Sequence, residues 1–100
     1  MAERAALLES LRVVDLSRGD GDAVARILAD LGADVIKVEA PGGSPARATL
    51  PRLAGTGVAF ALHNANKRAT VLDPESDVDR VRLFDLLAGA DVLIDSGLPG

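Results

Sequence analysis

The sequence predicts an α/β fold of Rossmann-like type, a mostly parallel sheet with flanking helices. Short aliphatic runs alternate with helix-period segments along the chain, the pattern of successive strand–helix units. Apolar residues make up 48% of 100 residues while aromatics are only 2%, so the core must be built from Ala, Val, Leu and Ile. Such residues suit parallel strands buried on both faces. The length fits a single domain over residues 1–100, with roughly two thirds of the unfolded surface available for burial. Phe60 and Phe84 are expected as the core's only large rings.

Leu11–Leu16 reads as the first strand, closed by the turn-rich Ser17-Arg-Gly-Asp-Gly-Asp22. A helix follows, with Val24, Ile27, Leu28 and Leu31 as its buried stripe, Asp20 or Asp22 as its cap, and Gly32 as a left-handed C-terminal residue. Ala33–Glu39 is the second strand, broken by Pro41-Gly-Gly-Ser-Pro45. Residues 46–57 are aperiodic and read as loop, and Val58–Asn64 is open between a short helix and irregular chain. Ala69–Leu72 forms the third strand. Asp73-Pro74 signals a helix start, with Val78, Val81, Leu83, Phe84, Leu87 and Ala88 as the buried side and Gly89 as the stop. Asp91–Ile94 is the fourth strand. No helix follows it to cover the sheet, so the sequence reads as a segment of a longer fold.

Net charge is −4 with no basic tract, which gives no footprint for nucleic acid. Without cysteine, disulfides, thiolate metal sites and cysteine nucleophiles are excluded. The first ten residues are too charged for a signal peptide, and no apolar run reaches membrane-spanning length. A soluble, cytoplasmic protein with no metal is expected. Asp20 and Asp22 lack the glutamate that a calcium loop would add.

In open α/β sheets, ligands bind beyond the carboxyl ends of the strands. That places Ser17–Asp22, Glu39–Arg47, Asp73–Glu75 and Ser96–Gly100 on the functional edge. Gly19-Asp-Gly21, with Glu39 about twenty residues on, has the layout of a dinucleotide fingerprint. Val24 stands where its third glycine belongs, however, and Asp20 and Asp22 would face a pyrophosphate with like charge. The same acids could equally cap the helix. His63-Asn-Ala-Asn-Lys-Arg68 is the densest group of polar donors and holds Lys67, one of only two lysines against nine arginines. Lys67 and Arg68 could meet a phosphate or carboxylate, or be solvated beside asparagines that satisfy a turn.

Leu28-Ala-Asp-Leu-Gly-Ala-Asp-Val-Ile-Lys-Val-Glu39, Pro41-Gly-Gly-Ser-Pro-Ala-Arg47, Asn64-Ala-Asn-Lys-Arg68, Val71-Leu-Asp73 and Ala90-Asp-Val-Leu-Ile94 occur in an order that resembles the opening of the family III CoA-transferases. That family includes formyl-CoA:oxalate CoA-transferase, carnitine CoA-transferases and α-methylacyl-CoA racemase. The resemblance implies coenzyme A or an acyl-CoA as the ligand and substrate thioester, and an interlocked homodimer when full length. It also implies CoA contacts from Arg18 and Gly19, from Leu72, Asp73, Pro74 and Glu75, and from Ser96, Gly97 and Leu98. Lys67 and Arg68 would contact phosphate or the dimer partner. The family's nucleophilic aspartate, and the acid/base pair of its racemases, lie beyond residue 100. This segment therefore carries no catalytic residue and is expected to be inactive alone.

Three departures from the family pattern support a rival reading. The run after the first strand is Gly-Asp-Gly-Asp rather than Ala-Gly-Pro-like, Ala40 stands where many members carry a base, and Ser96-Gly-Leu-Pro-Gly100 replaces Asn-Phe-x-Pro-Gly. Each removes a donor, ring or positive charge from the CoA side. A degenerate, non-catalytic dimerisation or scaffold module of the same family is the first alternative. A nucleotide-binding oxidoreductase domain is the second.

Overall fold

The computed structural model describes residues 7–18, 21–48, 50–53 and 55–95. In chain order its elements are β1 (Arg12–Asp15), α1 (Asp22–Asp30), β2 (Asp34–Glu39), a 3₁₀ turn (Pro45–Ala48), β3 (Arg52–Leu53), β4 (Thr56–Gly57), α2 (Val58–His63), β5 (Arg68–Val71), α3 (Asp77–Ala88) and β6 (Val92–Ile94). Four strands form one parallel sheet in the order β5-β2-β1-β6. The chain thus winds outward from β1 through β2 to β5 and then returns to β6 on the other side. The switch point of this doubly wound order lies between β1 and β6. The fold class is the one expected. The aperiodic stretch holds more structure than expected, since β3 and β4 pair as a small antiparallel hairpin and α2 resolves the open segment as a helix.

Side-chain alternation decides where the core sits. Val13 pairs in register with Val35 and with Val92, and Asp15 pairs with Lys37 and Ile94. These residues share one face of the sheet, because alternate residues of a strand point the same way. Val13, Val35, Ala25 and Ala33 are its buried centre, with Leu8, Leu11, Leu28, Ala29, Val92 and Ile94 packed around them. Val14 and Ile36 are buried on the opposite face. The inner strands β1 and β2 are largely buried, whereas the outer strands β5 and β6 are half-buried to exposed.

The helix ends follow local chemistry. After α1, Gly32 takes φ 104°; its N–H donates to Ala29 O at 3.0 Å and that of Ala33 to Leu28 O at 3.0 Å. This paired 5→2 and 6→1 closure needs a left-handed residue, which only glycine adopts at little cost. The start of α1 departs from expectation. Gly21 is its N-cap, with no side-chain cap, and Asp22 is the first helical residue; Asp20 lies outside the described residues. At α3 the cap is Ser76 rather than Asp73, its Oγ accepting from Asp79 N at 3.3 Å. Asp73 and Pro74 form a turn ahead of it, with Asp73 Oδ1 accepting from Glu75 N and Asp79 Oδ2 accepting from Asp73 N.

The expected stripes are buried only in part: Leu28 packs against the core and Leu83 and Leu87 are half-buried, but their other members are not. In α1, Val24, Ile27 and Leu31 are exposed, while Asp22 and Ala25 are buried. In α3, Leu83, Leu86 and Leu87 are half-buried, and Val78, Val81 and Phe84 are exposed, Phe84 at 68%. Both helices carry apolar residues on more than one side, so period alone supports two stripes and packing selects one. Phe60 is therefore the one buried ring.

Gly21 lies where a Cβ would sit 2.7 Å from Ile94 Cγ2 and 2.9 Å from Ser17 Cβ. Gly21→Ala is expected to lower stability by about 1–3 kcal/mol through overpacking. Gly89→Ala, at an exposed position with φ −95°, should change it by less than about 0.5 kcal/mol. Urea midpoints measure both, and equal midpoints would refute the close approach.

Candidate functional site

Four charged side chains meet beneath the carboxyl end of β1. Asp15 ends the strand in the same phase as buried Val13, which turns its carboxylate inward beside Lys37 of β2. Lys37 Nζ donates to Asp22 Oδ1 at 2.6 Å and to the carbonyl oxygen of Ser17, and lies 3.7 Å from Asp15 Oδ2. Lys67 Nζ enters from the turn before β5. It donates to Asp15 Oδ2 at 2.9 Å, to the carbonyl oxygen of Asp22 at 3.0 Å and to Asn64 Oδ1 at 2.6 Å. Asn64 Nδ2 donates in turn to Asp22 Oδ2 at 3.0 Å, and the Ser17 N–H and hydroxyl donate to Asp15 Oδ1.

All four charged side chains are at most 2% exposed. Two carboxylates against two ammoniums leave the cluster neutral, and among the described residues no buried side-chain N or O lacks a partner. Burying such charges is tolerable only under those conditions. Burial alone would raise the Asp22 carboxyl. Hydrogen bonds from Lys37 and Asn64, with the charges of Lys37 and Lys67, outweigh it and hold that carboxyl below the ordinary range.

A second ion pair closes the end of β2. Arg47 grips Glu39 with two parallel hydrogen bonds, Nε to Oε2 at 2.7 Å and Nη2 to Oε1 at 2.8 Å. The Ser44 N–H adds a third to Oε2 at 2.6 Å, and the guanidinium lies 4.3 Å over the buried Phe60 ring. The Arg47 bond is the main reason the Glu39 carboxyl falls below its usual range, against the opposing effect of burial. Three of the carboxylate's acceptor positions are thus taken by Arg47 and Ser44, which disfavours Glu39 as the ribose partner of a dinucleotide. The turn between them needs Gly43 at φ 88°, where a Cβ would lie 2.8 Å from Arg47 Cδ.

Beyond these pairs the carboxyl edge opens into a cavity of about 730 Å³. Leu16, Ser17 and Arg18 line it after β1, Val38 and Glu39 at the end of β2, Ala40 and Gly43–Pro45 after it, Leu72–Pro74 after β5, and Asp95 after β6. Asp79, Arg80 and Leu83 of α3 complete the wall. Of the sequence-derived contacts, Arg18, Leu72, Asp73 and Pro74 are gathered here. Glu75 lies next to them on the turn but outside the lining, and Gly19, Ser96, Gly97 and Leu98 lie outside the described residues. Lys67 is placed in the interior network. Arg68 pairs with Asp34, at the amino end of β2, through two bonds of 2.8 and 2.6 Å.

Sequence reasoning did not find Arg80 or the joint burial of Asp15, Asp22 and Lys37. The available signal was an acid and a lysine in phase with apolar residues on adjacent strands. Among the described residues no group of three or more His, Asp or Glu could hold a metal ion, and no helix is long and apolar enough to cross a membrane.

A doubly wound parallel sheet with a ligand-sized cavity at the carboxyl ends of its strands defines a Rossmann-like α/β segment. The CoA-transferase family III profile matches residues 8–100. The chain is 61% identical over 84 residues to the probable CoA-transferase Rv1866 of Mycobacterium tuberculosis, covering 84% of this chain and 11% of that one. It is 36% identical to a formyl-CoA:oxalate CoA-transferase of Streptomyces coelicolor, with 93% and 23% covered. The crystal structure of Rv3272 from M. tuberculosis superposes with a TM-score of 0.81 at 35% identity, covering 93% of this chain and 26% of that one. This chain belongs to CoA-transferase family III, and it spans about a quarter or less of the length of these relatives.

Because Asp22 and Glu39 have lowered folded-state pKa values, their contribution to stability is complete above the ordinary carboxylate range. It is lost as pH falls through the lowered values. Stability should therefore drop on acidification. Glu39→Gln should flatten that slope and cost about 1–2 kcal/mol at neutral pH. Urea titrations along a pH series test this; an unchanged acid slope in the variant would contradict it.

Proposed function

We propose that this chain is the CoA-binding segment of a CoA-transferase that moves CoA between an acyl-CoA thioester and a carboxylic acid. The observation that carries the reading is the cavity at the carboxyl ends of β1, β2 and β5, in a chain whose relatives are named CoA-transferases. A site at the carboxyl ends of parallel strands suits the nucleotide end of CoA. Arg18 and Gly19, the turn Leu72–Glu75, and Ser96–Leu98 form the proposed contact set. Arg18 is the charged donor toward phosphate, and Arg80 on α3 is a second base on the same wall.

The transfer chemistry requires a nucleophilic carboxylate that forms an anhydride with the acyl group and then a thioester with CoA. In this reading that carboxylate belongs to a part of the protein beyond residue 100. Asp15 and Asp22 are unsuited to it, being buried and hydrogen-bonded to lysines. The chain alone binds without turning over, and the full-length enzyme is proposed to be a cytoplasmic homodimer.

Calorimetric titration tests the reading. CoA should bind, dephospho-CoA more weakly, and Arg18→Ala should weaken CoA roughly tenfold by removing one charged hydrogen bond. No heat with CoA from a chain showing native circular dichroism would overturn it. A stable dimer by light scattering in that case would favour the scaffold alternative.

A further inference from the structure

Lys37 and Lys67, the chain's only lysines, do more than balance charge, because each also binds a backbone carbonyl of the loop after β1. Lys37 Nζ holds Ser17 O at the point where that loop leaves the strand. Lys67 Nζ holds Asp22 O where the loop has become α1. The two anchored residues bracket the loop that presents Arg18 to the cavity. Both ammoniums come from outside it, one from β2 and one from the turn before β5.

The donor count explains the residue type. A lysine head offers three N–H donors around one compact centre. Lys67 meets three acceptors at 2.6–3.0 Å: Asn64 Oδ1, Asp15 Oδ2 and Asp22 O. An arginine's planar fork could not converge on the same three points. Asn64 completes the device, accepting from Lys67 while donating to Asp22 and to Phe60 O.

We propose that Lys37 and Lys67 are positioning residues of the ligand site, two buried ammoniums that clamp both ends of the β1–α1 loop and so set the place of Arg18 in the cavity wall. The proposal rests on the CoA-binding reading for its ligand but not for its geometry. It assigns to Asn64 and Lys67 a role through the loop rather than by contact with phosphate.

The test uses the 100-residue chain with Lys67→Met, and with the milder Asn64→Ala, which keeps the ammonium but removes its Oδ1 acceptor and should fold where Lys67→Met does not. Site-resolved amide hydrogen exchange should rise at least tenfold at Ser17 and Arg18, with Val35 and Ile36 of β2 nearly unchanged. Uniform change across both regions, or none in the loop, overturns the clamp. CoA titration supplies the second readout. Each variant should bind CoA about tenfold more weakly, and Arg18→Ala should then cost much less affinity in the Asn64→Ala background than in the wild type, since the two act through the same contact. Additive losses would overturn the positioning role. Should the wild type not bind CoA at all, the CoA reading fails while the exchange result still decides the clamp.

Discussion

Two carboxylates and two ammoniums are buried side by side where four parts of the chain meet, and their pairing constrains how those parts assemble. Charges taken out of water are stable only when paired and when their remaining donors and acceptors are filled. Asp15, Asp22, Lys37 and Lys67 meet that condition together, with Ser17 and Asn64 closing the remaining bonds. The members come from β1, from the start of α1, from β2 and from the turn before β5. No single secondary-structure unit satisfies the set, so the network forms only when those elements are in register.

The rotation of α1 follows from this constraint. Asp22 must face the sheet to reach Lys37, which turns Ala25 and Ala29 inward and brings α1 close over β1 and β2. Val24 and Ile27 are consequently left on the outer side. Gly21 fits the same close approach, with no room for a side chain between Ser17 and Ile94. The loop that delivers Arg18 to the cavity is thereby held from below, while Glu39, Arg47 and Phe60 brace the adjoining wall.

The cavity has a mixed electrostatic character. Arg18 and Arg80 line it together with Glu39, Asp73, Asp79 and Asp95. Internal bonds engage several of those acids: Glu39 is held by Arg47, and Asp79 accepts from the Asp73 N–H and lies 3.7 Å from Arg82. Charge used inside the protein repels a ligand less than free charge does, because a nearby opposite charge offsets its field.

The sequence by itself determined the alternation of strands and helices, the parallel sheet, the glycine closure after α1 and the family. These depend on local period, turn chemistry and ordered motifs, which are all written along the chain. Which stripe of α1 and α3 would be buried was decided only by tertiary structure, because both helices carry apolar residues on more than one side. The destination of Lys67 was likewise decided in three dimensions. A lysine beside asparagines reads as a solvated or phosphate-facing base until two aspartates, 52 and 45 residues away along the chain, are folded beneath it.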